Sequence, residues 1–323
     1  MKQSIRGFVF VVSFIALSVS GALAKNVKIT PLGSHDGEFC IFDRAMILED
    51  PNGTRLLYDA GRTVRGAKDE RLGKIDAVLI SHVHGDHLGD KHQPSANAGD
   101  CGGPDLSVVD APNGNSVNIV MEKNAQLVVG SEMAMFFATK LKSLGGDPKL
   151  AKLVRFGASH TVNGVKITTV PAVHSNGLNA AFLDGDHANA LKALGLTAYV
   201  GPPTGYVITF TNGLVVYLSG DTGITAEQDL VVRQHYKAKL GIINIGDVYT
   251  TGPNEAAWVM NNMVKPTSVI ASHANEVATK NGKVIKGTKT DIFSKATKAK
   301  VYIPLSGKTM EFDNKGNCRK GCK

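Results

Sequence analysis

Residues 81–87 (SHVHGDH) bring together the side chains of this chain that are best suited to bind a metal ion. His82 and His84 are two positions apart, so in an extended segment both imidazoles point to the same side. Asp86 and His87 follow Gly85, where the chain can turn sharply towards a second centre. Imidazole and carboxylate are suitable ligands for Zn²⁺ and similar divalent cations. The spacing therefore indicates a metal site rather than a solvated polar loop.

Short apolar runs precede this motif and three further potential ligands. Residues 75–80 (IDAVLI) are typical of a buried strand, which places the motif on the loop after its carboxyl end. Open α/β sheets bind ligands at such ends. His174, Asp221 and His273 also follow apolar runs that predict strands. Taken alone, a histidine like His174 is more often an ordinary surface or core residue, and an aspartate like Asp221 a turn or helix cap.

Taken together, these motifs resemble the metallo-β-lactamase-fold hydrolase superfamily, and within it the hydrolases similar to ascorbate-6-phosphate lactonase. The likeness to that branch rests on Gly205-Tyr206 and on residues 219–223 (SGDTG). The resemblance extends over nearly all of the chain after residue 24. It implies an α/β (α+β) fold, a four-layer αββα sandwich with two mixed sheets back to back, helices outside and the metal site at one edge.

The resemblance also implies a ligand set and two divalent metal ions, with Zn²⁺ favoured and Mn²⁺ or Fe²⁺ open. The first ion would be held by His82, His84 and His174, the second by Asp86, His87 and His273, and Asp221 would bridge the two. An aspartate at the place of Asp59 commonly supports the histidine loop in this family, although turn capping is an equally open role.

The expected function is that of a dinuclear metal-dependent hydrolase. Neither set of ligands closes a tetrahedral shell with protein atoms alone, which is typical of catalytic sites. A metal-bridging hydroxide, available because metals lower the pKa of bound water to about 7, would attack a lactone, an ester or a phosphodiester. Asp86 or Asp221 would pass the proton to the leaving group. The Gly-x-Ser-x-Gly motif of serine hydrolases is absent from the sequence.

Three alternatives stay open. The first is a β-lactamase-type amide hydrolase, although those enzymes lack the bridging aspartate in the family pattern. The second is a mononuclear iron oxygenase of the same fold, which metal analysis and oxygen consumption would distinguish. The third is a binding protein with a decayed site, which the presence of all seven ligand residues disfavours.

Residues 1–24 have the pattern of a secretory signal peptide. Lys2 and Arg6 precede the apolar run 8–19, and Ala22-Leu23-Ala24 is a small-x-small cleavage site. We therefore predict one hydrolase domain over residues 25–323, in the periplasm or secreted. No stable membrane anchor is expected if the leader is cleaved, and an uncleaved anchor is the alternative.

Four cysteines in an exported chain predict disulfides. Three pairings are possible, and we favour Cys40 with Cys101 and Cys318 with Cys322. The cluster Asp184-Gly185-Asp186-His187 resembles a ligand motif but lacks a preceding strand, so we interpret His187 as a non-ligand. It lies in an insertion, residues 176–203, that is suited to a lid or a dimer contact.

Composition limits the partners. The chain has 323 residues, of which 43% are hydrophobic and 20% charged, as in soluble globular proteins. Its formal net charge is +8, but the lysines are scattered and not interleaved with aromatic residues, so we expect no specific nucleic-acid partner. A small-molecule substrate is expected, and a homo-oligomer is left open.

Overall fold

Most strands belong to two large sheets in the computed structural model, which describes residues 26–322. In chain order these strands are β1 (Val27–Pro31), β2 (Met46–Glu49), β3 (Arg55–Tyr58), β4 (Ala77–Leu79), β5 (Gln126–Val129), β6 (Ala151–Leu153), β7 (Ser159–Val162), β8 (Val165–Pro171), β9 (Thr204–Thr209), β10 (Val215–Leu218), β11 (Leu240–Asn244), β12 (Ser268–Ser272), β13 (Lys300–Tyr302), β14 (Met310–Phe312) and β15 (Cys318–Lys320). The predicted signal peptide, residues 1–24, lies outside the described residues.

Helices cover the outer faces of both sheets. The α-helices are α1 (Asn115–Lys123), α2 (Met133–Ser143), α3 (Gly185–Leu194), α4 (Pro253–Val259) and α5 (Lys289–Ala296). Wider helical turns span Gly85–Gly89, Gln228–His235 and Met260–Val264, and tighter ones span Pro148–Leu150 and Ala180–Phe182. In residues 26–322, no helix has both the length and the apolar character needed to span a bilayer.

Each large sheet mixes parallel and antiparallel strands. The first has the order β6-β5-β4-β3-β2-β1-β14-β15 and the second the order β7-β8-β9-β10-β11-β12-β13. The first and last strands of the described residues both belong to the first sheet, where Ile29 of β1 pairs with Met310 of β14. In the second sheet, β8 and β10 are both antiparallel to β9, whereas β10, β11 and β12 are parallel to one another. The strands β8, β10, β11 and β12 therefore end at the same edge.

Alternation along the strands divides the core into three layers. In β9, Tyr206 and Ile208 pack between the sheets, whereas Val207 faces the outer helices. In β4, Val78 likewise packs against the layer that contains α1 and α2, on the opposite face to Leu79. Two sheets packed face to face with helices on both outer sides form the predicted αββα sandwich, which is thus confirmed.

Both favoured disulfides are present. Cys40 is bonded to Cys101, with their Cα atoms 4.9 Å apart, and Cys318 is bonded to Cys322. The first bridge fastens the segment before β2 to a short ribbon, Gly99–Asp100 with Gly103–Pro104.

Three elements differ from what their sequence indicates. The largely apolar run 40–49 predicts a strand, but only Met46–Glu49 is one, because residues 40–45 form a turn in which Asp43 accepts the backbone N–H of Cys40. In the insertion, the sequence predicts a short helix over residues 188–194, but the helix begins at Gly185 and therefore includes His187. Residues 93–118 are rich in turn-forming residues and predict an irregular stretch, but they contain short ribbons and the start of α1.

Candidate metal centre

The histidine motif follows β4, as its sequence predicts, and changes direction at Gly85. Residues 81–84 are not helical, and a helical turn begins at Gly85. His82 Nε2 lies 3.0 Å from His84 Nδ1, so the two ring nitrogens are close enough to share one metal ion. The helical turn brings His87 back against His82, with ring centroids 4.1 Å apart.

The three distant candidates arrive at the same place from the second sheet. His174 follows β8, Asp221 follows β10 and His273 follows β12, whose carboxyl ends share one edge. Gly220 makes the turn into Asp221 with a φ of +60°, and a Cβ there would lie 2.8 Å from the carbonyl oxygen of Thr204. Glycine is therefore required at that turn.

Asp221 lies at the centre of the cluster. Its Oδ2 is 3.1 Å from His273 Nε2, 3.3 Å from His87 Nε2, and 3.9 Å from the Nε2 atoms of both His82 and His174. The structure thus gathers all seven predicted residues. They form three overlapping groups with ligand atoms within 4.8 Å of one another: His82, His84 and His174; His82, His87 and Asp221; and Asp86, His87 and His273.

Asp59 supports the motif from behind, as the family resemblance implies. It is fully buried, and its Oδ2 accepts the Ser81 hydroxyl at 2.7 Å and lies 2.8 Å from His87 Nδ1. Its Oδ1 accepts the backbone N–H of Ser81. Because the carboxylate contacts His87 Nδ1, it orients His87 with Nε2 towards Asp221. The backbone of Asp59 has a φ of +41°, an uncommon conformation for a residue with a Cβ.

The carboxylates of the centre are held in their ionised form. Burial is the largest single influence on Asp86 and opposes its ionisation, but Arg44, His87 and His273 together outweigh burial, and the pKa of Asp86 lies well below its usual value. Burial also opposes ionisation of Asp221. His273 and His87 together outweigh burial, so the pKa of Asp221 is likewise well below its usual value. Ionised carboxylates are acceptors only, which is the form that binds cations.

The histidines divide into two electrostatic types. Burial lowers the pKa of His82, of His84 and of His174, which keeps their imidazoles neutral and able to ligate. Burial also opposes protonation of His87, but Asp221, Asp86 and then Asp59 outweigh it and raise its pKa to about 10. The field around His87 therefore stabilises a positive charge at that position.

These donors fit a divalent metal. His87 Nε2 is buried without a hydrogen-bond partner although its Nδ1 contacts Asp59, which is the arrangement of a histidine oriented to ligate. Nitrogen and carboxylate donors in this proportion suit zinc and similar cations.

A cavity of about 380 Å³ opens beside the cluster. Its walls combine metal-ligand candidates with aromatic, cationic and amide side chains: Phe42, Arg44, Arg62, His84, Asp86, His174, Ser175, Asp221, Tyr249, His273 and Asn275. The Arg62 guanidinium lies over the Phe42 ring and forms two hydrogen bonds with Asp90. Because residues of the cluster form part of the cavity wall, a small molecule in the cavity can reach the cluster.

Arg44 is a site residue that the sequence reasoning missed. Its Nη2 lies 2.8 Å from His273 Nε2, 3.0 Å from Asp86 Oδ2 and 3.0 Å from Asn275 Oδ1. It lies in the largely apolar run 40–49, and its only local signal in the sequence is a charge within that run.

Three other residues with side chains able to bind a metal lie outside the cluster. His35 contacts the carbonyl oxygen of Gly99, and Asp36 is exposed in the same turn. His187 is exposed on α3. None of the metal-capable groups found in residues 26–322 includes these three.

Comparisons with known proteins agree with this fold. The profile of the family described as beta-lactamase superfamily domain matches residues 54–274. A UPF0173 metal-dependent hydrolase of Cupriavidus metallidurans is 30% identical, over 75% of this chain and 71% of its own length. Another, from Pelotomaculum thermopropionicum, is 32% identical, over 77% of this chain and 85% of its own length.

Among solved structures, the metallo hydrolase Igni18 of Ignicoccus hospitalis has the same fold. The two structures superpose with a TM-score of 0.58 at 21% sequence identity. The match extends over 89% of this chain and 99% of the Igni18 chain. The chain belongs to the beta-lactamase superfamily domain family, and it is a metal-dependent hydrolase with the metallo-β-lactamase fold.

Proposed function

We propose that this hydrolase is dinuclear and cleaves a lactone, an ester or a phosphodiester. His82, His84 and His174 would hold one divalent cation, and Asp86, His87 and His273 the other. The observation that carries the proposal is the position of Asp221 Oδ2, within 3.9 Å of a nitrogen from each group. A carboxylate oxygen shared in this way is suited to bridge two cations.

The protein residues have distinct tasks in such a reaction. Cations held here would supply Lewis acidity and lower the pKa of bound water to about 7. Asp59 keeps His87 oriented, which fixes the geometry before substrate arrives. Asp86 and Asp221 both line the cavity and can accept a proton and pass it to the leaving group. Phe42 and Tyr249 offer apolar surface to the rest of the substrate.

The cavity supports a small-molecule substrate. Its volume of about 380 Å³ is within the usual range for small-molecule pockets. The sequence resemblance to the lactonase-like branch supports a cyclic or linear ester, although export would not suit a cytosolic sugar phosphate. Zn²⁺ is the favoured cation because histidines dominate the donor set.

We also infer that the protein works in the periplasm or outside the cell. The disulfides Cys40–Cys101 and Cys318–Cys322 support this inference, because such bonds persist in oxidising compartments. Amino-terminal sequencing of protein recovered from a cell envelope fraction should begin at Lys25. A chain that retains Met1 and remains in the cytoplasm would contradict export.

The hydrolysis test uses a panel of lactones, carboxylic esters and phosphodiesters with zinc-loaded protein. Wild-type protein should hydrolyse at least one class, and His84→Ala and Asp221→Ala should each lose at least about 10²-fold in kcat/KM because ligands of the reacting centre are removed. His187→Ala, on the exposed face of α3, is the matched control and should keep full activity. Full activity in Asp221→Ala would refute the proposed mechanism.

A further inference from the structure

Arg44 is a buried cation that contacts only one side of the metal centre. It is 3% exposed, and Nη2 lies within hydrogen-bond distance of both His273 Nε2 and Asp86 Oδ2. Both partners belong to the group Asp86, His87 and His273. Among the contacts of the described residues, Arg44 forms no hydrogen bond or ion pair with His82, His84 or His174.

The guanidinium and a second cation need the same lone pairs. A guanidinium has no acceptor, so Nη2 donates to the His273 Nε2 lone pair. A zinc ion would bind that lone pair at about 2.0–2.1 Å and a carboxylate oxygen at about 2.0–2.2 Å. Because Nη2 is 2.8 Å from Nε2 and 3.0 Å from Oδ2, such an ion would lie against the guanidinium. Two like charges that close in a buried site repel strongly.

Space into which Arg44 could be displaced lies beside its guanidinium. Its Nε is buried without a hydrogen-bond partner, and the contacts of its other nitrogens are to Phe42 O, His273, Asn275 and Asp86. The cavity adjoins the guanidinium, with Phe42 and Tyr249 among its walls. A displaced guanidinium would therefore enter the space that substrate uses.

We propose that Arg44 competes with the second cation and makes the two metal sites unequal in affinity. The His82, His84 and His174 site binds tightly, and the Asp86, His87 and His273 site fills only when Arg44 moves into the cavity. There the guanidinium can contact an anionic oxygen of the substrate, so substrate favours loading of the second site. This inference rests on the proposed dinuclear centre and makes Arg44 a positioning residue for it.

Calorimetric titration of metal-stripped protein with Zn²⁺ tests the inference without measuring activity. Wild-type protein should show two sites that differ at least tenfold in affinity. Arg44→Met should bind the second ion at least tenfold more tightly, with the first site changed by less than threefold. Arg44→Lys, which keeps the charge, should stay closer to wild type than Arg44→Met.

Arg62→Met is the matched control. Arg62 lines the same cavity, but its salt bridge is to Asp90, not to a ligand candidate. Both zinc affinities should match those of wild type. Unchanged or weaker second-site binding in Arg44→Met would overturn the role of Arg44 alone, whereas one zinc per chain in every variant would overturn the dinuclear centre as well.

A wild-type measurement covers the case in which Arg44→Met does not fold. Crystals at one and at saturating zinc equivalents should differ in the Arg44 side chain, with Nη2 beyond 4 Å from His273 Nε2 at saturation. An Arg44 that keeps its present contacts beside a bound second ion would refute the competition.

Discussion

At the scale of single residues, Asp59 organises the centre although it is not among the groups able to hold a metal. Its carboxylate contacts both the Ser81 hydroxyl and His87 Nδ1. The Ser81 hydroxyl in turn contacts His82 Nδ1. Replacing this charge with an amide keeps the volume but loses the ionised acceptor for His87.

Asp59→Asn should weaken metal affinity by about 10- to 100-fold, the usual effect of losing a partner behind a ligating histidine. Competition with a chromophoric chelator measures this affinity. Asp36→Asn, in an exposed turn, is the matched control and should bind as wild type does. Wild-type affinity in Asp59→Asn would show that Ser81 alone orients the motif.

The residue types at the centre could be predicted from sequence to different extents. His82, His84 and Asp86 are close together in the chain, so their spacing alone indicated a shared site. His174 and His273 needed the family resemblance, because a single histidine after a strand is common. Arg44 reaches its partners only through the folded sheets, and no local pattern encodes such a contact.

At the scale of elements, the segment of residues 40–45 connects the first disulfide to the metal centre. Cys40 is bonded to Cys101, and Arg44 four positions later contacts His273. The disulfide therefore fixes one end of the turn that carries the buried guanidinium.

Loss of the two disulfides should have unequal costs. Cys40 and Cys101 are 61 positions apart and Cys318 and Cys322 only 4. Chain-entropy estimates are about 4 kcal/mol for the first and about 2 kcal/mol for the second. Denaturant unfolding of Cys40→Ser/Cys101→Ser and of Cys318→Ser/Cys322→Ser measures the difference. Equal losses would contradict the loop-length argument.

The loop between β3 and β4 is held together by hydrogen bonds to the carboxylate of Asp69. Asp69 is buried and accepts hydrogen bonds from the Arg71 side chain and from the backbone N–H of Arg65. Burial opposes ionisation, but the hydrogen bond and charge of Arg71 outweigh it and lower the pKa of Asp69 to about 2. Since the unfolded value is near 4, the ionised form stabilises the fold.

This contribution should be complete above about pH 4 and decline as pH falls towards 2, because in that range the unfolded chain takes up a proton that the folded Asp69 carboxyl does not. Asp69→Asn should lower the free energy of unfolding by about 1–2 kcal/mol at pH 7, and less at pH 3. Urea unfolding at both pH values measures it. A loss that is the same at both would contradict the lowered pKa.

Element boundaries were less predictable than element types. The run 75–80 was expected to form a strand and does so over Ala77–Leu79. Residues 40–45 continue the apolar pattern of β2, but the backbone turns there because Asp43 accepts the N–H groups of Ser34 and Cys40. Periodicity does not reveal this competition between side-chain and strand hydrogen bonds.

At the scale of the whole molecule, Tyr206 ties the two sheets together beneath the motif. It is fully buried in β9, and its hydroxyl lies 2.7 Å from Ile80 O and 3.0 Å from Val128 O. Ile80 immediately precedes the histidine motif, so the contact sets the distance between the two halves of the centre.

Tyr206→Phe should destabilise the fold by about 1–3 kcal/mol, because it removes the hydroxyl that donates to a buried carbonyl oxygen. Thermal unfolding measures the loss. Tyr199→Phe, at an exposed position, is the matched control and should unfold as wild type does. No loss in Tyr206→Phe would mean that the hydroxyl does not link the sheets.

The layered architecture could be predicted from the family resemblance, but the strand order could not be derived from local pattern. The pairing of Ile29 with Met310 joins positions at opposite ends of the described chain. Such pairing depends on which faces remain to be buried after the other strands have packed.

Anomalous scattering from crystals soaked in excess Zn²⁺ tests the central claim most directly. Two peaks about 3.5–4 Å apart are predicted, as in other two-metal sites, one beside His84 and one beside His273, with Asp221 Oδ2 between them. A single peak, or a second peak remote from Asp221, would contradict the dinuclear centre.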